Sequence, residues 1–453
     1  MRKYNPFSPR ASLAAVGAYM RQIGVWETVC EHVHIAQKTI KHAPLDKLLD
    51  ALITILAGGH GVVEVNTRVR PDEGLQRAFG RRACAEQSTV SQTLNACDTQ
   101  TVGQMRQALC AIYRRQACGY RHAYARRYQV LDVDMTGLPS GPRAEGATKG
   151  YFSGRKNRRG RQLGRVLATL YDEIVFEKLY PGTVQLEQGF QELLGAAEEV
   201  LALDEARRAR TIVRVNGGGG CDEEINWMLS RGYQVVVKVK NWKRAAKLAR
   251  SVREWYPDPK VAERQLGWDA TPHPYARPTQ QLAMRWPKGD GQWHYRVLVF
   301  TLSDEMLFAL LGQPRPEPLT PLRRLAAIVD AYDLRGGGVE ATIRGSKQGL
   351  GLRQRNKRRF AAQEMLVLLA QLAYNLVAWV RNLLAAQRPA FQHFGTLRMV
   401  RDVLHIAGTV QIGVPECIPK IRLNKSHHLA KPLLEALRPF LARDGIQLIL
   451  HQI

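Results

Sequence analysis

The chain is poor in acidic residues, in paired cysteines and in long uncharged apolar runs. Its 453 residues hold 40 Asp and Glu against 66 Lys and Arg, a formal net charge of +26. The seven cysteines form no C-x-x-C pair, and an odd, scattered set indicates reduced thiols in a cytoplasm rather than a disulfide framework. No apolar run of about 18 residues is free of charge, so we expect no transmembrane helix and no membrane partner.

Two cofactor motifs are also absent. The four glycines at 217–220 are not followed by Gly-Lys-Ser/Thr, so no phosphate loop and no nucleotide cofactor is predicted. Cys30, His32 and His34 have the spacing C-x-H-x-H, which is not that of a zinc finger. Hydrophobic residues make up 45% of the chain, which is ordinary for a globular protein and excludes a fully disordered one.

The excess of positive charge runs along the whole chain. A folded protein this basic repels itself unless a polyanion is its usual partner, and nucleic acid is the leading candidate. An acidic membrane surface is the weaker alternative. One basic segment, Lys149–Arg165, is interpreted either as a phosphate-contacting loop or as a solvated loop. Its candidate DNA-binding residues are Arg155, Lys156, Arg158, Arg159 and Arg161.

Hydrophobic periodicity divides the chain into five segments. Residues 1–125 are predicted to be an all-α domain, in which a helix over 85–94 would either enter a DNA groove or pack in a bundle. Residues 126–240 read as three strands followed by strand–helix alternation, with strands over 210–215 and 234–239, which predicts a mixed α/β sheet covered by helices. Residues 241–325 are rich in proline and hold two strand-like runs, 281–286 and 293–302, around a turn at 289–291, which predicts a β-rich insertion. Residues 326–390 and 391–453 are predicted to be helical.

Acidic side chains near predicted strand and helix ends suggest a metal site. Asp134 leaves the first strand, and Glu340 opens a helix after the insertion. The fourth strand ends at Asn216, where a third acid would complete the set. Three converging acids would hold two divalent cations, Mg²⁺ or Mn²⁺, for phosphoryl transfer. Solvated acids at strand ends are the alternative.

The sequence stretches that contain these residues resemble the motifs of a known family. The stretch from Tyr332 to Lys347, YDLRGGGVEATIRGSK, resembles the tyrosine–arginine–glutamate–lysine signature of bacterial insertion-sequence DDE transposases. Four residues separate Arg335 from Glu340, one more than the usual pattern. The stretch 131–136 resembles the strand bearing the first acid of that family, and 214–222 resembles the strand bearing the second. The three stretches together indicate this family more specifically than any one of them does alone.

The resemblance implies a ribonuclease H-like core with helices on both faces and a β-rich insertion. It also implies binding of double-stranded DNA at transposon ends and at a target, metal-dependent nicking and strand transfer, and a homodimer in the DNA complex. Asp134 and Glu340 would bind the metals. Arg335 and Lys347 would grip phosphates, Tyr332 would orient a terminal phosphate, and Trp293 would either stack on a flipped base or belong to a core.

The second acid of the family is missing from this sequence. Asn216 keeps a carbonyl oxygen but lacks the negative charge, so we expect impaired metal binding and impaired DNA cleavage. Three hypotheses remain open. The chain is a transposase with impaired catalysis, a catalytically inactive DNA-binding derivative that regulates or shapes DNA, or a structure-specific nuclease.

Overall fold

The structure is a computed structural model that describes residues 4–39, 41–152, 155–413 and 417–452, with Arg155 and Lys156 described by their backbone alone. The chain folds into two compact units. The first unit contains Met1–Ala117, Leu138–Ala147 and Thr342–Ile453, and the second contains Cys118–Gly137 and Thr148–Ala341. The predicted segment 326–390 is therefore divided between the two units.

The α-helices of the described residues follow the apolar periodicity of the sequence. They are α1 (Ala11–Gln22), α2 (Val25–His32), α3 (Pro44–Leu56), α4 (Glu73–Ala78), α5 (Gln87–Ala96), α6 (Thr99–Gln116), α7 (Leu186–Leu201), α8 (Glu205–Ala209), α9 (Asp222–Ser230), α10 (Trp242–Ala249), α11 (Asp304–Leu311), α12 (Pro321–Asp333), α13 (Ala341–Gly349), α14 (Phe360–Gln387), α15 (Thr396–Arg398) and α16 (Ala430–Leu441).

The strands form two sheets. They are β1 (Phe7–Ser8), β2 (Gln129–Pro139), β3 (Thr148–Phe152), β4 (Arg155–Ala168), β5 (Glu173–Pro181), β6 (Thr211–Val215), β7 (Gln234–Lys238), β8 (Tyr256–Pro257), β9 (Gln265–Trp268), β10 (Gln280–Lys288), β11 (Gln292–Phe300), β12 (Gly408–Gln411), β13 (Lys420–Asn424) and β14 (Gln447–His451). The predicted mixed α/β class is confirmed.

The first unit is built around the long helix α14, which packs against α3, α5, α6 and α16. Among the described residues α14 alone is long and apolar enough to cross a membrane, and 89% of its most apolar stretch is buried in the structure. Such burial is typical of a core helix. Helix α5, predicted over 85–94, packs on α3 and α14 through Val90, Thr93 and Leu94.

The helical prediction for residues 391–453 is wrong in part. Strands β12, β13 and β14 lie in this region and form a four-stranded sheet with β1, in the order β1–β12–β13–β14. Strand β1 lies in residues 1–125, so the all-α prediction for that segment is also wrong in part. Strand β13 alternates buried and half-buried residues, the pattern of a strand with one covered face. Strands of four or five residues are too short to outweigh the strong helical pattern of α16 in a sequence reading.

The second unit is organised by one large sheet. Its order is β3–β4–β2–β6–β7–β11–β10–β9–β8, and β5 also pairs with β4. Strands β2, β6 and β7 are parallel to one another, whereas β4 and β5 are antiparallel. Helices α7, α9, α10 and α12 pack on strands of this sheet.

The predicted insertion continues this sheet. Its two strand-like runs around the turn 289–291 form the antiparallel hairpin β10–β11. Strand β11 pairs antiparallel with β7, with Phe300 opposite Val236. The insertion thus adds strands to the edge of the parallel core, and its apolar residues complete a core shared with α12.

Candidate functional site

The parallel pairing of β2 with β6 brings Asp134 and Asn216 together. Val133 lies opposite Val215 in the register of the two strands, so the next residues, Asp134 and Asn216, lie side by side. Asn216 follows the end of β6. Strand β2 continues to Pro139, so the prediction that Asp134 leaves the first strand is wrong. The Asn216 Nδ2 group donates a hydrogen bond of 2.8 Å to Asp134 Oδ1. The amide oxygen, Asn216 Oδ1, accepts from the backbone N–H of Gly218 at 2.8 Å.

Arg335 joins Asp134 to the third predicted residue, Glu340. Its guanidinium lies 3.6 Å from Asp134 Oδ2 and 3.7 Å from Glu340 Oε1. It is only 2% exposed and also donates to the Val133 carbonyl at 3.0 Å. The structure therefore gathers Asp134, Asn216 and Glu340 around one buried arginine, which was predicted instead to grip a phosphate.

A wide helical turn accommodates the extra residue between Arg335 and Glu340. Residues Gly336–Glu340 form a π-type turn, in which the Glu340 N–H points to the Arg335 carbonyl at 3.5 Å. A Cβ atom at Gly338 would lie 2.6 Å from Asp132 Oδ2. Glycine is therefore required where this turn crosses the sheet, and the turn places Glu340 directly before α13.

Sequence reasoning missed the ion pair between Asp132 and Arg214. These two residues lie opposite each other in the register of β2 and β6. Both are buried, and two guanidinium nitrogens of Arg214 donate to the Asp132 carboxylate at 2.7 and 2.8 Å. The available signal was a charged residue inside each of two apolar strands, because a buried charge needs a partner of opposite sign.

Burial shifts the ionisation of the groups around Arg335. It raises the pKa of Asp134, against the opposing influence of the Arg335 charge, and it raises the pKa of Tyr332 to about 12. It lowers the pKa of Lys238, and the positive charges of Arg296 and Arg335 lower it further. Burial of Asp134, Tyr332 and Lys238 thus disfavours their charged forms, and the charge of Arg335 acts on each of them.

The residues present do not fit the predicted pair of divalent cations. Asp134 Oδ1 already accepts from Asn216 and from the Met135 backbone at 2.8 Å. Arg335 lies within ion-pair distance of Asp134 and of Glu340. Among the described residues no three His, Cys, Asp or Glu side chains are grouped to hold a metal ion. A guanidinium therefore supplies the positive charge that a cation would bring.

A cavity of about 680 Å³ opens beside Asn216. Four cationic residues line it, namely Lys238, Lys240, Lys288 and Arg296. Its aromatic lining includes Trp242, Trp293 and Tyr295. Trp242 is 63% exposed, and Trp293 has the Arg285 guanidinium 4.4 Å from its ring centre. Cations interleaved with aromatic faces are the usual lining of a nucleic-acid groove.

The remaining predicted residues have different surroundings. Tyr332 is 8% exposed and belongs to the apolar core, so its hydroxyl does not lie at an open surface as the phosphate role requires. Lys347 lies half-buried in α13 of the first unit, and its phosphate contact stays a prediction.

The basic segment 149–165 is not the loop that was predicted. It forms β3 and the first part of β4, which pair antiparallel. Arg159 is exposed, Arg158 is half-buried, and the side chains of Arg155 and Lys156 lie outside the described residues. Arg161 has no exposed surface, so the expectation of a direct DNA contact from Arg161 is wrong in this structure.

Comparison with known proteins identifies the family. The sequence model of the family described as transposase DDE domain group 1 matches residues 8–437. No curated protein matches the chain. Seven chains of solved structures match, among them a piggyBac transposase in a cryo-EM synaptic complex with hairpin DNA. That match has 9% identity and a TM-score of 0.45, and it covers 98% of this chain and 87% of the other. The chain belongs to the DDE transposase family, group 1.

Proposed function

We propose that this transposase-family protein binds double-stranded DNA, including transposon ends with inverted repeats, and that its strand-cleavage chemistry is lost. The observation that carries the proposal is the hydrogen bond from Asn216 to Asp134. An aspartate at position 216 could not donate that bond, so the present contact depends on the residue that departs from the family pattern. Arg335 neutralises the two remaining acids of the set.

The cavity beside Asn216 supports the DNA-binding part. Its four cations would neutralise backbone phosphates, and its aromatic rings, of which Trp242 is exposed, would stack on unpaired or flipped bases. The charge of +26 over the whole chain favours the same partner. A homodimer that binds two transposon ends belongs to this proposal.

The strand order supports a ribonuclease H-like core. Strands β5, β4, β2, β6 and β7 are adjacent in that order. When these five strands are numbered 1 to 5 in chain order, beginning with β2, their spatial order is 3-2-1-4-5. Strands β6 and β7 are parallel to β2. Asp134 lies within one of its two central strands and Asn216 directly follows the other, where the first two acids of such a core belong.

A metal-dependent transposase is the second candidate. The convergence of Asp134, Asn216 and Glu340 on one cluster favours it, because three acids of a catalytic set would occupy these positions. Divalent metal ions, Mg²⁺ or Mn²⁺, are general to the family. The two candidates differ in whether the unaltered chain cuts DNA.

Binding and cleavage assays on the full-length chain separate the two candidates. The probe is a duplex taken from the DNA that borders the coding sequence, beside a scrambled duplex of equal length. We expect a gel shift with a preference for the bordering duplex and no nicking in Mg²⁺ or Mn²⁺. Nicking by the unaltered chain would refute the inactive assignment, and failure of both duplexes to bind at low salt would refute DNA binding.

The substitution Asn216→Asp tests the role of the amide. It replaces a hydrogen-bond donor by a second carboxylate beside Asp134. With metal ions removed by a chelator, we therefore expect the free energy of unfolding to fall by about 1–3 kcal/mol. Mn²⁺ should raise the melting temperature of this variant and leave that of the unaltered chain unchanged. Asn95→Asp, at an exposed position of α5, is the matched control. An equal response of both variants to Mn²⁺ would contradict this role.

A further inference from the structure

Arg355 in the first unit is a buried cation that has no hydrogen-bond partner for its guanidinium in the part of the chain that the structure describes. Its side chain is 5% exposed. None of its three guanidinium nitrogens has a hydrogen-bond partner among the described residues, and each nitrogen is itself buried. A guanidinium carries five N–H donors, so an interior that leaves all of them unsatisfied is unfavourable unless an acceptor enters.

The backbone around Arg355 is fixed. Gln363 of α14 donates its side-chain amide to the Arg355 carbonyl at 2.9 Å. The same side chain accepts from the Lys357 N–H at 2.6 Å. Gln363 is itself buried, so it holds the backbone of the segment between α13 and α14 at Arg355 and at Lys357. The inward position of the arginine is therefore built into the fold of this segment.

The acidic residue whose charge acts on Arg355 already has other hydrogen-bond and ion-pair partners. Glu64 is the carboxylate whose charge acts on Arg355. It accepts hydrogen bonds from the backbone of His60 and Gly61 at 2.5 and 3.2 Å and forms an ion pair with Arg68. Burial lowers the pKa of Arg355 to about 9. The negative charge of Glu64 raises this pKa, but by less than burial lowers it.

We propose that Arg355 is the centre of an oxyanion-binding site and that its ligand is a phosphate group. A guanidinium binds phosphate by two parallel N–H···O bonds, which would satisfy the orphaned donors. The surrounding segment attracts such a ligand, because exposed Arg353, Arg358 and Arg359 carry the same charge and residues 353–359 contain no acid. The phosphate could be free or part of DNA.

Glycine backbone borders the guanidinium and marks the way in. A Cβ atom at Gly351 would lie 3.0 Å from a guanidinium nitrogen of Arg355 and 2.9 Å from the Gly59 carbonyl oxygen. Gly351 and Gly58 both have positive φ angles, +62° and +74°. Because the nitrogens have no open surface, a ligand enters by displacing the turn at Gly351, where the glycine itself has no side chain to block the approach.

Thermal unfolding of the full chain in inorganic phosphate, against sodium chloride at equal ionic strength, tests the site. Saturating phosphate should raise the melting temperature by about 2–4 °C. Arg355→Met should abolish the rise, while Arg353→Met, an exposed neighbour, should retain it. Arg355→Lys keeps the charge and should respond weakly. The same rise in Arg355→Met, or no rise in the unaltered chain, would overturn the proposal, and neither outcome depends on DNA cleavage or DNA binding.

A DNA titration distinguishes the two sources of phosphate. If a DNA phosphate is the ligand, Arg355→Met should reduce the slope of log Kd against log salt by about one unit relative to Arg353→Met. If free phosphate is the ligand, the two slopes should agree while the phosphate-dependent melting shift is still lost. Circular dichroism of each variant confirms that it folds.

Discussion

Lys238 shows how burial at a single residue links pH to the proposed function. It lies at the end of β7, lines the cavity beside Asn216, and has its ammonium 5.7 Å from the centre of the Tyr332 ring. Its pKa is lowered, first by burial and then by Arg296 and Arg335. A lysine with a lowered pKa loses its charge at a lower pH than an ordinary lysine, and with the charge it loses attraction for phosphate.

The substitution Lys238→Arg should therefore flatten the pH dependence of DNA binding. Lysine is charged below its pKa, so the affinity of the unaltered chain should fall as the pH rises through the lowered value, whereas arginine stays charged. Fluorescence anisotropy between about pH 7 and about pH 10 gives the ratio of the two Kd values. The ratio should grow with pH. A constant ratio, or an equal effect of Lys288→Arg at an exposed cavity position, would contradict the assignment.

At the scale of elements, the hairpin β10–β11 depends on Phe300 for its attachment to the sheet. Phe300 is fully buried, lies opposite Val236 of β7, and has its ring centre 6.3 Å from that of Trp268. It belongs to the apolar cluster that joins the hairpin to α12. The same hairpin supplies Trp293 and Arg296 to the cavity.

Phe300→Ala should consequently destabilise the second unit and loosen the cavity. The lost burial and the cavity left behind predict a decrease of about 3–5 kcal/mol in the free energy of unfolding. Urea unfolding followed by tryptophan fluorescence measures the change. Val261→Ala, at a position that is 42% exposed, is the control and should change stability little. Similar values for the two variants would show that the hairpin is held elsewhere.

At the scale of the whole molecule, the formal charge of +26 predicts strong salt dependence of DNA binding. Each neutralised phosphate contributes about −0.9 to the slope of log K against log salt. Replacing Lys240 and Lys288 of the cavity by Gln should reduce the magnitude of the slope by about 1.8. Lys425→Gln with Lys431→Gln changes the net charge equally at exposed positions of the first unit. An equal reduction of the slope in both double variants would show that the DNA does not bind at the cavity beside Asn216.

Local pattern alone determined much of the fold. The predicted strand 210–215 is β6, the predicted strand 234–239 is β7, and the two runs around 289–291 are the hairpin β10–β11. The position of Asn216 directly after a strand was also readable, since a run of apolar residues ends there. The strand end predicted at Asp134 was not, because β2 continues to Pro139. These features depend on neighbouring residues in the chain, and their periodicity is present in the sequence itself.

Only the tertiary structure decided what those residues touch. The Asn216 amide reaches Asp134 across 82 residues of chain because β2 and β6 pair in one particular register. A shift of one residue in that register would reverse the face of every side chain. The burial of Arg161, the bridging place of Arg335 and the isolation of Arg355 likewise follow from packing between distant segments. The sequence therefore determined which charges exist and where the elements lie, and the tertiary structure decided which charges are paired, buried or left without a partner.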